Sequence, residues 1–320
     1  MIFLSSRYNN YSEHLKTLYG EKVYKIPISI PATCPNRDGF LGVNGCSFCG
    51  DQGAGYQHVP LHVSIKQQIK EHKKHIALKY KAKKFIAYFP NYSTTYLPLP
   101  VLMEYLEAAC EEDIVRLALA TRPDCLNEEY IKALATLKEK RSIDIALELG
   151  LQTVNYHVLG TVNRGHTLAE YLGAMLLLNK YGLISCTHVI LNLPRTDLND
   201  VIETAKIISI MGSKEVKIHA LYIVKGTKMA SEFLNNNLTI GSKEEYVERV
   251  ITFLQYLDSK ISVQRLIGRA PISHTEFRNW NEKWWEIRNE IEKAMDEGDC
   301  FQGAKCDYLT GKALNKFAIY

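Results

Sequence analysis

The sequence predicts an α/β fold of parallel β-α units followed by a C-terminal helical extension. Three observations point there. Short β-rich runs alternate with amphipathic runs along most of the chain, capping signals stand at the starts of the amphipathic runs, and the pattern changes after Pro271. The strand candidates are Val23–Ile30, Phe85–Phe89, Val115–Ala120, Ile143–Leu149, Cys186–Leu191 and Val216–Val224, with a short seventh at Ile261–Leu266. Six strands alternating with helices imply right-handed crossovers. That alternation alone does not separate an open doubly wound sheet from a barrel.

The helices follow in order. Ser64-Ile-Lys-Gln67 opens the first, with Ile65, Ile69 and Ile76 on one face. Pro98 and Pro100 precede the second, and Asn127 caps the third. Thr167-Leu-Ala-Glu170 is a capping box for the fourth, the fifth starts near Asp197–Asn199, and Ser242-Lys-Glu-Glu245 caps the sixth. After Pro271, Ser273-His-Thr-Glu276 reads as another capping box. Trp280, Trp284, Ile287, Ile291 and Met295 then recur at helical spacing up to Gly298, a face suited to packing on the outside or end of the sheet. The boundaries read as 1–271 for the β-α part with an N-terminal extension, and 272–320 for the helical extension.

With 320 residues, 46% hydrophobic and 23% charged, the chain has ample material for a core. No apolar run reaches membrane-spanning length and none reads as a secretory signal, so the reading is cytoplasmic, with no membrane partner. The formal charge of +4 is too small to demand a nucleic-acid partner. Its distribution is more pointed. From Lys66 to Lys84 eight lysines stand against one acid, Glu71. Such a segment either binds phosphates or is a solvated helix face.

Of eight cysteines, Cys34, Cys46 and Cys49 cluster in a glycine-rich stretch directly after the first strand. In a cytosolic protein such a cluster more often binds metal or does chemistry than forms a disulfide. A cubane normally takes four thiolates, so three leave one iron open to a small molecule. The alternative is a structural Cys3His zinc site with His58 as fourth ligand. Cys110, Cys125 and Cys186 read as buried thiols. Cys300 and Cys306 are too few for an auxiliary cluster and read as ordinary thiols.

The Cys-x11-Cys-x2-Cys loop resembles that of the radical S-adenosylmethionine (SAM) superfamily, in the branch related to the catalytic subunit of Elongator. Further segments carry the likeness through nearly the whole chain: Arg7-Tyr-Asn9, Cys34-Pro-Asn-Arg-Asp-Gly39, Thr121-Arg-Pro-Asp-Cys125, Glu148-Leu-Gly-Leu-Gln152, Asn163-Arg-Gly-His166, His188-Val-Ile-Leu191, Lys225-Gly-Thr227 and Gln264-Arg-Leu266. Together they are similar to the bacterial YtqA/YhcC-type family. The resemblance implies a partial (β/α)6 barrel with a [4Fe–4S] cluster on Cys34, Cys46 and Cys49. It implies SAM chelating the open iron, reductive cleavage to a 5′-deoxyadenosyl radical, and an electron donor such as flavodoxin or ferredoxin. It also implies that Arg164 meets the SAM carboxylate, where a guanidinium forks naturally, or else is a surface arginine at a helix start. Asn91, in Asn91-Tyr-Ser-Thr-Thr-Tyr96, stands where the methionine end of SAM is often contacted, although that segment equally suits turns.

Gln152, past the fourth strand, is placed to reach the ribose hydroxyls. Glu148 either contacts SAM or substrate, or pairs with a cation inside the barrel, since a buried carboxylate needs a partner. His188 and His219 either point inward or are satisfied core histidines. The sequence departs from the family at Asn192-Leu-Pro-Arg-Thr196, where glycine-leucine-proline-glycine-glutamate is typical, and at Arg269, where aspartate is usual.

For function the resemblance points to tRNA, with conversion of 5-carboxymethylaminomethyluridine to 5-aminomethyluridine at the wobble position. Lys73, Lys74, Lys83 and Lys84 are the candidate phosphate contacts. The chain has no room for an acetyl-CoA-binding domain. The alternatives are a radical SAM oxidoreductase for a small metabolite and a non-catalytic zinc- or cluster-binding module.

Overall fold

The computed structural model describes residues 6–51, 62–270 and 272–317. Its main sheet contains β1 (Val23–Pro27), β2 (Lys84–Phe89), β3 (Ile114–Thr121), β4 (Asp144–Gln152), β5 (Ile184–Ile190), β6 (Glu215–His219) and, beyond β7 (Ile223–Val224), β8 (Ser262–Arg265). The order is β1-β2-β3-β4-β5-β6-β8, and every pairing is parallel. The helices are α1 (Tyr11–Tyr19), α2 (Ile65–Tyr80), α3 (Leu99–Ala108), α4 (Glu128–Arg141), α5 (Tyr156–Thr161), α6 (Leu168–Lys180), α7 (Leu198–Ile210), α8 (Lys228–Leu234), α9 (Lys243–Tyr256) and α10 (Trp284–Glu297).

The sheet is curled into a partial barrel, and side chains prove it. In a flat sheet β1 and β8 would lie about 29 Å apart, six spacings of about 4.8 Å. Yet Lys25 Nζ of β1 donates to Gln264 Oε1 of β8 at 2.8 Å. Arg116 of β3 likewise reaches Glu215 of β6 across the interior, with both side chains 1% exposed. The main core lies outside, between sheet and helices, where Leu117, Leu119, Leu147, Leu149, Val216 and Ile218 meet Leu102, Leu134, Met175 and Ile208. The interior is largely polar, with a small apolar layer of Ile86, Ala118 and Ala146 under Leu15 of α1.

Helix α1, which the sequence showed only as an N-terminal extension, closes the N-terminal end of the barrel. Asn10 caps it through Ser12 N, and Tyr19 Oη accepts from Arg116 Nε at 2.9 Å while bonding Asp144. The segment before it covers the free edge of β8, where Val263 N donates to Asn9 O at 2.8 Å.

Asn127, Thr167 and Ser242 cap the helices they were read to cap, and the helix expected to start near Asp197–Asn199 is capped by Asp197. Two expectations fail. Val216–Val224 is not one strand: Leu221 N turns to Asn192 Oδ1 at 2.7 Å, and the chain re-enters an antiparallel pair between β7 and β9 (Thr275–Phe277). That pairing also removes the capping box expected at Ser273–Glu276. Backbone pairing holds Thr275–Phe277 extended, Ser273 and His274 form the turn ahead of them, and the helix begins after Lys283, whose N–H meets Glu286 Oε2 at 2.9 Å. Trp280 lies before the helix and donates to Gly241 O, while Ile287, Ile291 and Met295 join the main core. Cys186 is buried, but Cys110 and Cys125 are only half-buried.

The lysine segment is a third correction. Lys73 pairs with Asp113 just before β3, and Lys84, the first residue of β2, donates to Tyr19 O at 2.8 Å and faces Glu21 at 3.6 Å. Lys83 precedes the same strand. These residues sit at the N-terminal edge of the sheet, and Lys73 and Lys84 are engaged there.

The Arg116–Glu215 pair gives a stability test. Removing one partner leaves an uncompensated buried charge, so Glu215→Gln is expected to cost about 3–5 kcal/mol in urea unfolding. Arg116→Met combined with Glu215→Leu is expected to cost less than Glu215→Gln alone.

Candidate active site at the cysteine loop

Cys34, Cys46 and Cys49 line one cavity at the C-terminal ends of the strands, together with Arg37, Arg122, Gly150, Gln152 and Arg164, with Tyr88, Glu148, His188, Lys217, His219, Tyr222 and Arg265 lining its other parts. The loop that carries the cysteines has little regular structure of its own and is held by outside donors. Asn36 Nδ2 donates to Asn163 O at 2.6 Å, Asn163 Nδ2 returns to Gly45 O at 2.8 Å, and Ser47 N donates to Val162 O at 2.9 Å. Arg37 Nη2 closes the far side on Gly50 O at 2.7 Å and on Cys49 O. Asn163-Arg-Gly-His166 therefore works as a clamp on the cysteine loop. Its own turn is fixed by Arg122, whose Nη1 donates to Arg164 O at 2.7 Å while Nε and Nη2 fork onto Asp124 at 2.8 and 2.6 Å. Thr121-Arg-Pro-Asp-Cys125 thus positions the clamp.

Arg164 is buried, at 7% exposure, and is no surface arginine. Its Nη1 donates to Cys46 Sγ at 3.4 Å and its Nη2 to Gly150 O at 2.9 Å, while the buried Nε meets no partner. A Cβ on Gly150 would stand 2.6 Å from Nη2, so this approach requires glycine there. His166 Nε2 meets the same Gly150 carbonyl at 3.0 Å.

Gln152 is the last residue of β4, with φ 75°, and lines the cavity beside Cys49. Glu148 lies two inward positions deeper. Lys25 and Lys217 hold its carboxylate, together with His188 Nε2 at 2.9 Å, so the interior-cation pairing is what the structure brings together. Burial alone would raise the Glu148 pKa, but Lys217 and Lys25 outweigh it and keep the group well below the usual carboxylate range. Asn91 is buried but does not line the cavity, whereas its neighbours Tyr92 and Ser93 do. The rest of that segment serves turns: Thr94 N donates to Ala120 O, and Thr95 Oγ1 meets Thr121 Oγ1 and Cys125 O. His188 and His219 both face inward, with ring centroids 5.2 Å apart. Lys217 and Arg265 also line the cavity, and their positions in the strand pattern were the available signal for them.

The donor set suits a multinuclear, negatively charged group better than a single zinc ion. A zinc tetrahedron needs thiolates about 3.8 Å apart. Among the described residues, the one trio of metal-type donors within 4.8 Å of one another is Glu148, Cys186 and His188, not the cysteine triplet. That trio is no attractive cation site, because Lys25 and Lys217 already hold its carboxylate. Around the triplet, Arg37, Arg122 and Arg164 supply positive charge, and the buried Arg164 Nε is a donor still to be matched. Burial and the neighbouring Cys46 raise the Cys49 thiol despite Arg37. His58, the fourth ligand of the zinc alternative, lies outside the described residues.

Two buried histidines give this end of the barrel a pH dependence. Burial, with Arg164, lowers His166 to about 3, and burial, with Lys217, lowers His188 to about 4, both from 6.5. Below pH 6.5 the unfolded chain binds protons that the folded chain refuses. Stability is therefore present above pH 6.5 and lost as pH falls toward 4, by about 1.4 kcal/mol per pH unit for each histidine. Urea midpoints of the cluster-free protein are expected to drop from pH 7 to 5, with a shallower drop in His166→Asn. A wild-type midpoint unchanged over that range contradicts the assignment.

Comparisons with known proteins agree with this geometry. A family model described as the radical SAM superfamily matches residues 31–208, and one described as the radical SAM C-terminal domain matches 213–297. YtqA of Bacillus subtilis (strain 168) is 33% identical over 298 residues, 93% of this chain and 92% of YtqA. A tRNA uridine(34) acetyltransferase of Methanocaldococcus jannaschii is 26% identical over 150 residues, 45% of this chain and 26% of that protein. The structure of archaeal Methanocaldococcus infernus Elp3 superposes with a TM-score of 0.64 at 16% identity, over 88% of this chain and 64% of that one. At that identity the likeness speaks for the fold.

Proposed function

The chain belongs to the radical SAM superfamily, and we propose that Cys34, Cys46 and Cys49 hold its [4Fe–4S] cluster, that Arg164 and Gln152 bind SAM, and that its substrate is tRNA. The observation that carries the proposal is the shared cavity in which the three thiols meet Arg164 and Gln152 at the C-terminal ends of the strands. When bound, cluster and SAM supply reductive SAM cleavage and hydrogen abstraction from the substrate.

The chain's own residues bind and orient. The clamp from Asn163 and Arg37 sets the cysteine loop, and Arg164 offers Nε as a charge-assisted donor to the SAM carboxylate. Gln152 presents its amide toward the ribose. Electrons come from an external donor of the flavodoxin or ferredoxin class.

The tRNA reading draws on the tRNA uridine(34) acetyltransferase among the relatives, and on charge. Exposed Arg269 lines the cavity, exposed Lys225 and Lys228 line the neighbouring recess at Cys46 and Cys49, and exposed Arg195 lies in the loop after β5. Arg195 holds φ 67° where the family pattern has glycine, a left-handed backbone that costs an arginine about 1 kcal/mol. A strained, exposed cation in the loop after a barrel strand suits phosphate contact. The lysines at the opposite edge of the barrel do not share this face. The proposed reaction is removal of the carboxymethyl group from wobble 5-carboxymethylaminomethyluridine.

Anaerobically purified protein is expected to carry about four irons per chain. Cys34→Ala, Cys46→Ala or Cys49→Ala removes them, and stoichiometric zinc without iron overturns the reading. Arg164→Ala is expected to weaken SAM binding by about tenfold or more while leaving iron in place.

For tRNA, neutralising Arg195, Lys225 and Lys228 together is expected to lower affinity and reduce the salt slope by up to about 3. Neutralising Lys74 and Lys83 changes neither. Nucleosides from a strain lacking the protein are expected to accumulate the carboxymethylated form, and an unaltered wobble-uridine profile contradicts the tRNA assignment.

A further inference from the structure

The deeper wall of the cavity, away from the cysteines, is formed by Tyr88, Glu148, His188, Lys217, His219 and Arg265. Its charges do not balance. Glu148 is the carboxylate of this wall, and it is shared between Lys25 and Lys217. Arg265 meets the His219 ring at 2.6 Å and Ile218 O at 3.4 Å, and among the described residues no carboxylate lies within ion-pair distance of it. The other nearby acid, Glu215, is occupied by Arg116 and by Gln264 Nε2 at 2.6 Å. Burial keeps His188 and His219 neutral, so they add ring N–H donors without offsetting charge. With Lys25 counted behind the wall, three cations stand against the one carboxylate of Glu148, so among the described residues two positive charges remain uncompensated around it. Unpaired charge held away from water is unfavourable, and an anionic ligand relieves it.

We propose that this wall receives a carboxylate of the substrate, with the Arg265 guanidinium as its fork and Lys217 and His219 beside it. This rests on the reading of the cavity as a SAM-dependent radical site and narrows the substrate class to molecules bearing a carboxylate on a short free arm. A chain-internal phosphodiester does not suit the position, because Lys217 and His219 stand inside the barrel and a phosphate flanked by two sugars cannot be threaded there. The carboxylate of SAM itself is the competing occupant, and Arg164 beside Cys46 already serves it in the reading above.

The test uses cluster-reconstituted protein with SAM and without reductant, so that binding is measured without turnover. The probes are two anticodon stem-loops that differ only in 5-carboxymethylaminomethyluridine or 5-aminomethyluridine at the wobble position, and the two free nucleosides. Wild-type protein is expected to bind the carboxylate form about tenfold or more tightly. Arg265→Gln is expected to abolish the preference with SAM affinity retained, and Arg265→Lys, which keeps the charge, to retain part of it. A preference seen with the nucleosides alone, without stem-loop binding, supports the carboxylate subsite and removes the tRNA reading. No preference in either format overturns the proposal. So does loss of SAM affinity in Arg265→Gln that Arg265→Lys restores, because it gives Arg265 to the SAM carboxylate.

Discussion

Charge inside the barrel is the constraint on which the rest depends. Seven parallel strands curl until side chains from β1, β4, β5, β6 and β8 meet, and Glu148 stands near the centre of that meeting. A carboxylate so placed survives only with cations around it. Lys25 and Lys217 answer it from strands that are not its neighbours in the sheet, which ties the curvature to electrostatics as well as to packing. The deeper Arg116–Glu215 pair does the same one layer down, where Tyr19 of α1 seals the floor. The floor is thus filled and balanced, while the open end is left with positive charge and room.

The cysteine loop uses that open end. It makes few regular hydrogen bonds of its own, and its shape comes from the turn after α5. Asn163 and Val162 bond its backbone, and Arg122 fixes that turn through the Arg164 carbonyl. The same turn aims the Arg164 guanidinium at Cys46. One local structure therefore sets both the thiols and the cation that faces them, and Asn163 is the residue that couples the two.

Much of this was legible in the sequence, for identifiable reasons. Parallel strands and their helices announce themselves through apolar runs and caps, and Thr167 and Ser242 do cap as their spacing suggests. The cysteine loop and Arg164 stood out through the family resemblance, and the fold brings them into one cavity. What escaped depends on closure in three dimensions. Nothing local marks α1 as a plug, since its value lies in Tyr19 reaching Arg116. Ser273–Glu276 has the composition of a cap, but its last two residues are drawn into the strand that pairs with β7, so no helix starts there. The lysines between Lys66 and Lys84 look alike in sequence, yet the strand direction places Lys73 and Lys84 on the edge away from the cysteines. The departure at Asn192 makes sense only in the fold, where its side chain tethers Leu221, and Arg195 keeps the left-handed backbone of the glycine it replaces.

The central claim is that three cysteines leave one iron open for SAM. The most direct measurement is the electron paramagnetic resonance spectrum of the dithionite-reduced protein, recorded before and after SAM is added. The account predicts a [4Fe–4S]+ signal whose g-values shift on SAM addition, with the shift diminished at the same SAM concentration in Arg164→Ala. A cluster signal that SAM leaves unchanged in the wild-type protein would contradict it.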